Sequence, residues 1–231
     1  MKTVGIIGGL GPETTSEFYL ELIFQSQRLD RTNRPPILIY SVPITYKAEE
    51  NEILKGLLNQ SEYKKLLVNA AKRLEQGGAD FLVMSCNSLD FLIDEIRSSV
   101  KIPVLSVIEE AIKFLEKKGV SRVGLISTLI TRKYGLYEGP LAAHGITTVV
   151  PSNSQQTKIN KVVLNLTLNR YSDKDKRKII AIVNDFEKKG VEHVILACTD
   201  LQLLIPQHPR LKIYDTMKIF ADATVQEILS D

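Results

Sequence analysis

Residues 81–90 read FLVMSCNSLD: four apolar residues, a serine, a cysteine, then a polar run. Four apolar residues are too few for a helix and suit a strand buried on both faces, as in a parallel sheet. The preceding stretch, SEYKKLLVNAAKRLEQGG at 61–78, is apolar at Leu66, Leu67, Ala70, Ala71 and Leu74. That spacing predicts a helix, with Ser61 able to cap it and two glycines to stop it. The following LDFLIDEIRSSV also reads as helical. The unit is therefore helix, strand, cysteine, helix.

The same unit recurs. LEQGGADFLVMSCNSLDFLI and FEKKGVEHVILACTDLQLLI align, and they place the chain's two cysteines, Cys86 and Cys198, 112 residues apart. A second pair, KTVGIIGGLGPETT and SRVGLISTLITRKY, matches at an offset of 119, from Val4 to Val123. Two matches at nearly one offset point to a duplicated α/β unit.

The rest of the chain fits that period. Strands are expected at 3–8, 35–43, 102–107, 122–128, 147–151, 192–198 and 212–217. Helices are expected from Pro12 to about Leu29, and at 108–120, 136–146, 155–168, 174–189 and 219–230. Residues 44–60 are polar and mixed, and read as a long loop with helical turns. Alternating strands and helices imply an α/β fold with parallel sheets covered on both faces. The expected architecture is two similar α/β domains related by pseudo-twofold symmetry, with the active site in the cleft between them. Residues 1–100 plus 208–231 form the first domain, and residues 101–207 the second.

Composition limits the partners. Thirty Lys and Arg against 27 Asp and Glu leave a net charge of +3, and the basic residues are interspersed with acidic ones. That is no footprint for nucleic acid. No apolar run approaches the roughly 18 residues that span a bilayer. The apolar stretch near the start is about five residues, broken by glycines, and reads as a strand rather than a signal peptide. The expectation is a cytoplasmic protein with reduced thiols. Two Cys and three scattered His residues offer no metal-ligand spacing, so neither metal nor cofactor is expected. Gly8, Gly9 and Gly11 are wrongly spaced for a dinucleotide loop, and Pro12 follows them.

A single cysteine at a strand end is most simply a small buried hydrophobe. Two in matching positions, with no others in the chain, point to paired use. Just beyond the carboxyl ends of parallel strands lies the ligand crevice of an open sheet. Two thiols on opposite faces of one carbon suit inversion: one thiolate removes the Cα proton and the other thiol returns a proton. A free thiol pKa of about 8.5 must fall for the base to be populated, which a helix amino terminus favours. Carbanion formation needs dipoles aimed at the carboxylate, and the backbone N–H groups after Cys86 and Cys198 are candidates.

GIIGGLGPETT near the start, GADFLVMSCNS around Cys86, VILACTDL around Cys198 and YDTM near the end together resemble the aspartate/glutamate racemase family. These are the PLP-independent amino-acid racemases, and the likeness spans the whole chain. It implies a cofactor-independent racemase inverting Cα of aspartate or glutamate, and a homodimer. It puts the catalytic thiols on Cys86 and Cys198. Substrate contacts would come from Leu10, Asn87, Ser88, Thr128, Thr131 and Thr199, with Lys47 and Asn51 in the segment after the second strand. The chain departs from the family at Asp90, where a His is the pattern, and at Asp200, where a Glu is. Leu168 stands where aspartate-specific members carry a Lys, with Arg170 close by, and Lys47 is a loose substitute for their Arg. A charged Asp90 near Cys86 would raise the thiol pKa, whereas an exposed Asp90 one turn into a helix would be inert. Two further readings stay open: a weak or inactive member that binds a small carboxylate, and a racemase for another α-substituted acid such as a hydantoin.

Overall fold

The computed structural model describes residues 1–204 and 207–230. It divides into two compact units. The first comprises Met1–Thr45, Leu58–Ala111 and Met217–Asp231, and the second Tyr46–Leu57 and Ile112–Thr216.

Unit 1 holds a sheet of four parallel strands, β1 (Val4–Gly8), β2 (Ile37–Ser41), β3 (Phe81–Met84) and β4 (Val104–Leu105), in the order β2-β1-β3-β4. Its helices are α1 (Pro12–Leu29), α3 (Gln60–Gln76) and α4 (Ile93–Arg97), the first turn of α5 (Val107–Lys117), and nearly all of α10 (Thr216–Leu229). Strands β1 and β3 are buried at every position, as continuous apolar runs covered on both faces should be. Phe18 of α1 is fully buried and stacks on Phe220 of α10, with ring centroids 5.7 Å apart.

Unit 2 repeats the plan. Its strands are β5 (Arg122–Ser127), β6 (Thr147–Val149), β7 (His193–Ala197) and β8 (Lys212–Asp215), all parallel, in the order β6-β5-β7-β8. Renumbered from its own first strand, this is the order of unit 1, so the duplication seen in the sequence extends to strand order. Helices α2 (Tyr46–Lys55), α6 (Leu129–Lys133), α7 (Glu138–Ala143), α8 (Asn153–Thr167) and α9 (Asp173–Lys188) belong to this unit. Phe186 of α9 lies so close to Gly124 that a Cβ there would sit 3.0 Å from its ring. Glycine at 124 is what lets the helix approach the sheet.

Several local expectations are corrected. Residues 46–55 form a regular helix, α2, rather than a loop, and α2 packs on α6 and α8. Its apolar anchor is Ile53, buried in the unit 2 core. Residues 46–57 therefore go with the second unit although they follow the second strand. The cap of α3 is Asn59, whose side chain accepts from the Glu62 N–H at 3.3 Å, and not Ser61. The short helix α6 has no counterpart among the expected elements. The apolar run after Cys86 is broken into a 3-10 turn at Asp90–Leu92 and a five-residue α4. The run after Cys198 is only a 3-10 turn, Leu201–Leu203. The last strand ends at Asp215, so Thr216 and Met217 open α10.

Candidate active site

In each unit the chain runs from the first strand to a neighbour on one side, then crosses to the third strand on the other side. The carboxyl ends of strands one and three therefore flank a topological switch point, where open α/β sheets bind ligands. In unit 1 these ends are β1 and β3, which pair up to Ile7 and Met84. Leu10 follows the first and Cys86 the second. In unit 2 they are β5 and β7, which pair up to Ser127 and Ala197. Thr128 follows the first and Cys198 the second. Parallel pairing thus brings together residues some seventy positions apart in the sequence, twice.

The loop after β1 is shaped by Gly9, whose φ is +79° and where a Cβ would meet the Val42 N and the Ser41 Oγ at 2.7 Å. Its N–H donates to the Thr15 Oγ1 at 3.0 Å, and that hydroxyl donates to the Gly11 carbonyl at 3.0 Å. Thr15 sits in the first turn of α1, so the loop is tied to the helix it feeds. Leu10 and half-buried Cys86 both pack on the unit 1 core. Asn87 and Ser88 are buried beside Cys86.

In unit 2, Thr128 caps α6. Its Oγ1 accepts from the Thr131 N–H at 3.2 Å and lies 3.0 Å from the Thr131 hydroxyl. Thr128, Thr131 and Thr199 are all buried. Cys198 is buried at the end of the unit 2 core, and its thiol points to the Asp200 Oδ2 at 3.7 Å. Lys47 and Asn51 lie on α2, Lys47 exposed and Asn51 accepting from Lys55 one helical turn on at 3.0 Å. The Asn51 oxygen is thus engaged within its own helix rather than at the strand ends.

Neither cysteine sits at the amino terminus of an α-helix. Bends and turns separate each thiol from a three-residue 3-10 element. A short turn follows each cysteine where a helix amino terminus was expected.

Sequence reasoning missed the depth of polar burial at the strand ends. Ser85, Asn87, Ser88, Asp90 and Ser106 are buried in unit 1, and Ser127, Thr128, Thr131, Thr199 and Thr216 in unit 2. Buried hydroxyls and amides are costly unless partnered. The available signal was a small hydroxyl residue directly after the apolar run of several strands: Ser85, Ser106, Ser127 and Thr199. Gln156 of α8 also went unread. It is buried and donates to the Ser127 carbonyl at 2.9 Å, holding the end of β5 against α8.

Asp90 is not exposed. It is 5% accessible, and the Ser106 hydroxyl donates to its Oδ2 at 2.6 Å. Its Oδ1 is buried with no hydrogen-bond partner among the described residues. Burial pushes this carboxyl from 3.8 up to about 7, opposed by the Ser106 hydrogen bond; Glu109 adds to the rise and Arg97 resists it. Arg97 is fixed by a bidentate pair with Glu109, both contacts at 2.8 Å, and by donation to the Val104 carbonyl at 3.1 Å. Near neutrality Asp90 carries a partial charge only, so its repulsion of a thiolate at Cys86 is weaker than the sequence suggested.

Among the described residues no group of three or more His, Cys, Asp or Glu side chains is arranged to hold a metal ion. No described helix is long and apolar enough to cross a membrane.

A doubly repeated parallel α/β fold with one thiol at each switch point defines the class. The chain belongs to the Asp/Glu/Hydantoin racemase family, whose model matches residues 7–224. Its members are isomerases. Over 232 residues, 98% of each chain, it is 25% identical to the broad specificity amino-acid racemase RacX of Bacillus subtilis strain 168. An aspartate racemase homologue from Pyrococcus horikoshii OT3 superposes with a TM-score of 0.80 at 29% identity, covering all of both chains. Aspartate racemase of Picrophilus torridus gives a TM-score of 0.83 at 25% identity, covering 99% of this chain and 94% of its own.

Proposed function

We propose that this chain is a cofactor-independent racemase that inverts Cα of an acidic amino acid, with Cys86 and Cys198 as its two acid/base groups. The observation that carries this is the position of the thiols, one after the third strand of each sheet, each beside the end of the first strand of its own unit. In each direction one thiolate takes the Cα proton, and the other thiol delivers a proton to the opposite face. The roles then exchange for the reverse reaction. Carboxylate contacts fall to the turn N–H groups after each cysteine and to Asn87, Ser88, Thr128, Thr131 and Thr199, with Leu10 lining the loop after β1. These donors stabilise charge that develops on the carboxylate as the proton leaves. Lys47, exposed on α2, is the cation proposed for the side-chain carboxylate, with Asn51 beside it. The enzyme works as a homodimer in the cytoplasm, where its thiols stay reduced.

A second reading concerns the substrate. Leu168 caps the end of α8 and carries no charge. With one clamp position apolar, a side chain other than a carboxylate is favoured, as the breadth of the Bacillus relative also suggests.

Exchange of the Cα hydrogen with solvent deuterium, over a panel of L- and D-amino acids without added PLP, tests both readings. The two-thiol reaction predicts that inversion is lost in both Cys86→Ala and Cys198→Ala, and that each variant loses exchange with the one enantiomer whose base it lacks. No exchange with aspartate or glutamate rejects the acidic substrate, and exchange unchanged in either variant rejects the two-thiol chemistry.

A further inference from the structure

Helix α1 buries one face in unit 1 through Thr14, Thr15, Phe18, Leu22, Gln25 and Ser26. Its opposite face carries the stripe Glu13, Glu17, Leu20, Phe24 and Gln27, continued by Arg31. Leu20 is 47% and Phe24 51% exposed, which is unusual for large apolar side chains one helical turn apart. Arg31 lies just past the helix end. It still shares this face, because Phe24, Gln27, Arg28 and Arg31 line one surface depression of about 340 Å³.

The stripe has two properties that together specify an occupant. Its spacing is palindromic, with steps of four, three, four, three and four residues. Its charge is antisymmetric, acidic at the amino end, apolar in the middle and basic at the carboxyl end. An antiparallel copy of the same helix, turned about a twofold axis level with Leu22, sets Glu13 against Arg31, Glu17 against Gln27 and Leu20 against Phe24. Every contact then occurs twice, as an isologous interface requires. A parallel copy would set like charges against each other.

We infer that the outward face of α1 is the homodimer interface of this protein, formed by antiparallel packing of α1 on α1 of a second copy. The inference rests on the homodimer reading above and names its surface. Phe24 and Leu20 form the central apolar contact, and Arg31 and Glu13 pair at each end. At 1.5 Å per residue the outer pairs lie about 13 Å from the axis on either side. A single helix pair belongs with the small interfaces, below about 1,200 Å² in total, that hold weak dimers. Association is therefore concentration-dependent.

Sedimentation equilibrium over a range of concentrations tests this on the full chain. Phe24→Asp should raise the dimer dissociation constant at least about tenfold, since it puts two charges into the apolar centre. Glu13→Arg and Arg31→Glu should each weaken the dimer by roughly two- to fivefold, because each makes both end contacts repulsive. Mixing these two variants should restore wild-type association, as the mixed dimer regains opposite charges at both ends. Circular dichroism checks that each variant folds. A wild-type chain that stays monomeric overturns the homodimer reading itself. A wild-type dimer that persists unchanged in Phe24→Asp, or that mixing fails to rescue, overturns the α1 surface alone. The thiol chemistry is read separately, by deuterium exchange.

Discussion

Replacing Asp90 by Asn tests the electrostatics beside Cys86. Asp90 is almost wholly buried, with Ser106 as its hydrogen-bond donor, and burial lifts its carboxyl from 3.8 to about 7. A folded-state pKa above the unfolded one means that the native state binds more protons between these values. The neutral carboxyl is thus tolerated in full below about pH 4. The cost of ionising it grows as pH rises through 7, so stability falls with pH over that window. A rise of about three pKa units corresponds to about 4 kcal/mol at the limit, at about 1.4 kcal/mol per unit. Asn has the same shape, never ionises, and can still accept from Ser106. The charged groups facing this site, Glu109 and Arg97, are paired to each other and are left untouched. Urea denaturation of both proteins from pH 4 to pH 9 should therefore show a difference that is small at the acid end. It should grow by a few kcal/mol in favour of Asp90→Asn by pH 8 to 9. A difference that stays flat across this range would mean that Asp90 ionises normally, and the burial argument would fail.

Three further outcomes follow from the packing. Gly9→Ala should cost about 2 kcal/mol or more in denaturant unfolding, because φ at +79° disfavours any Cβ and the Val42 backbone occupies its place. Thr128→Ala should cost about 1 kcal/mol through loss of the α6 cap, and Thr128→Ser should keep most of it, as read by the same unfolding curves. Phe18→Ala removes a fully buried ring stacked on Phe220 and should cost about 3–5 kcal/mol; a loss under 1 kcal/mol would mean that α10 closes over the gap.

Most elements were legible because their signals are local. Short apolar runs between glycines marked the strands, 3.6-residue spacing marked the long helices, and the repeat of FLVMSC as VILAC marked the duplication. Both cysteines could be placed beyond strand ends on that basis alone. Where local signals were weak, the reading failed. The segment 46–55 is polar with one buried anchor, Ile53, and its helix is held by packing against α6 and α8. Asp90 looked like a solvent residue because aspartate mostly is one. Only the Ser106 hydroxyl, sixteen residues on and at the end of the neighbouring strand, reveals that it is enclosed.

The sequence by itself determined the alternation of strands and helices, the repeat, and the residues that follow each strand. It left the order of the strands open, because a strand–helix–strand unit may place its next strand on either side. Tertiary structure decided that the first and third strands are neighbours in each unit. That choice sets Leu10 beside Cys86 and Thr128 beside Cys198, since parallel pairing aligns carboxyl ends whatever the separation along the chain. It also decided the charge of Asp90, because desolvation depends on what surrounds a carboxyl and not on its position in the sequence.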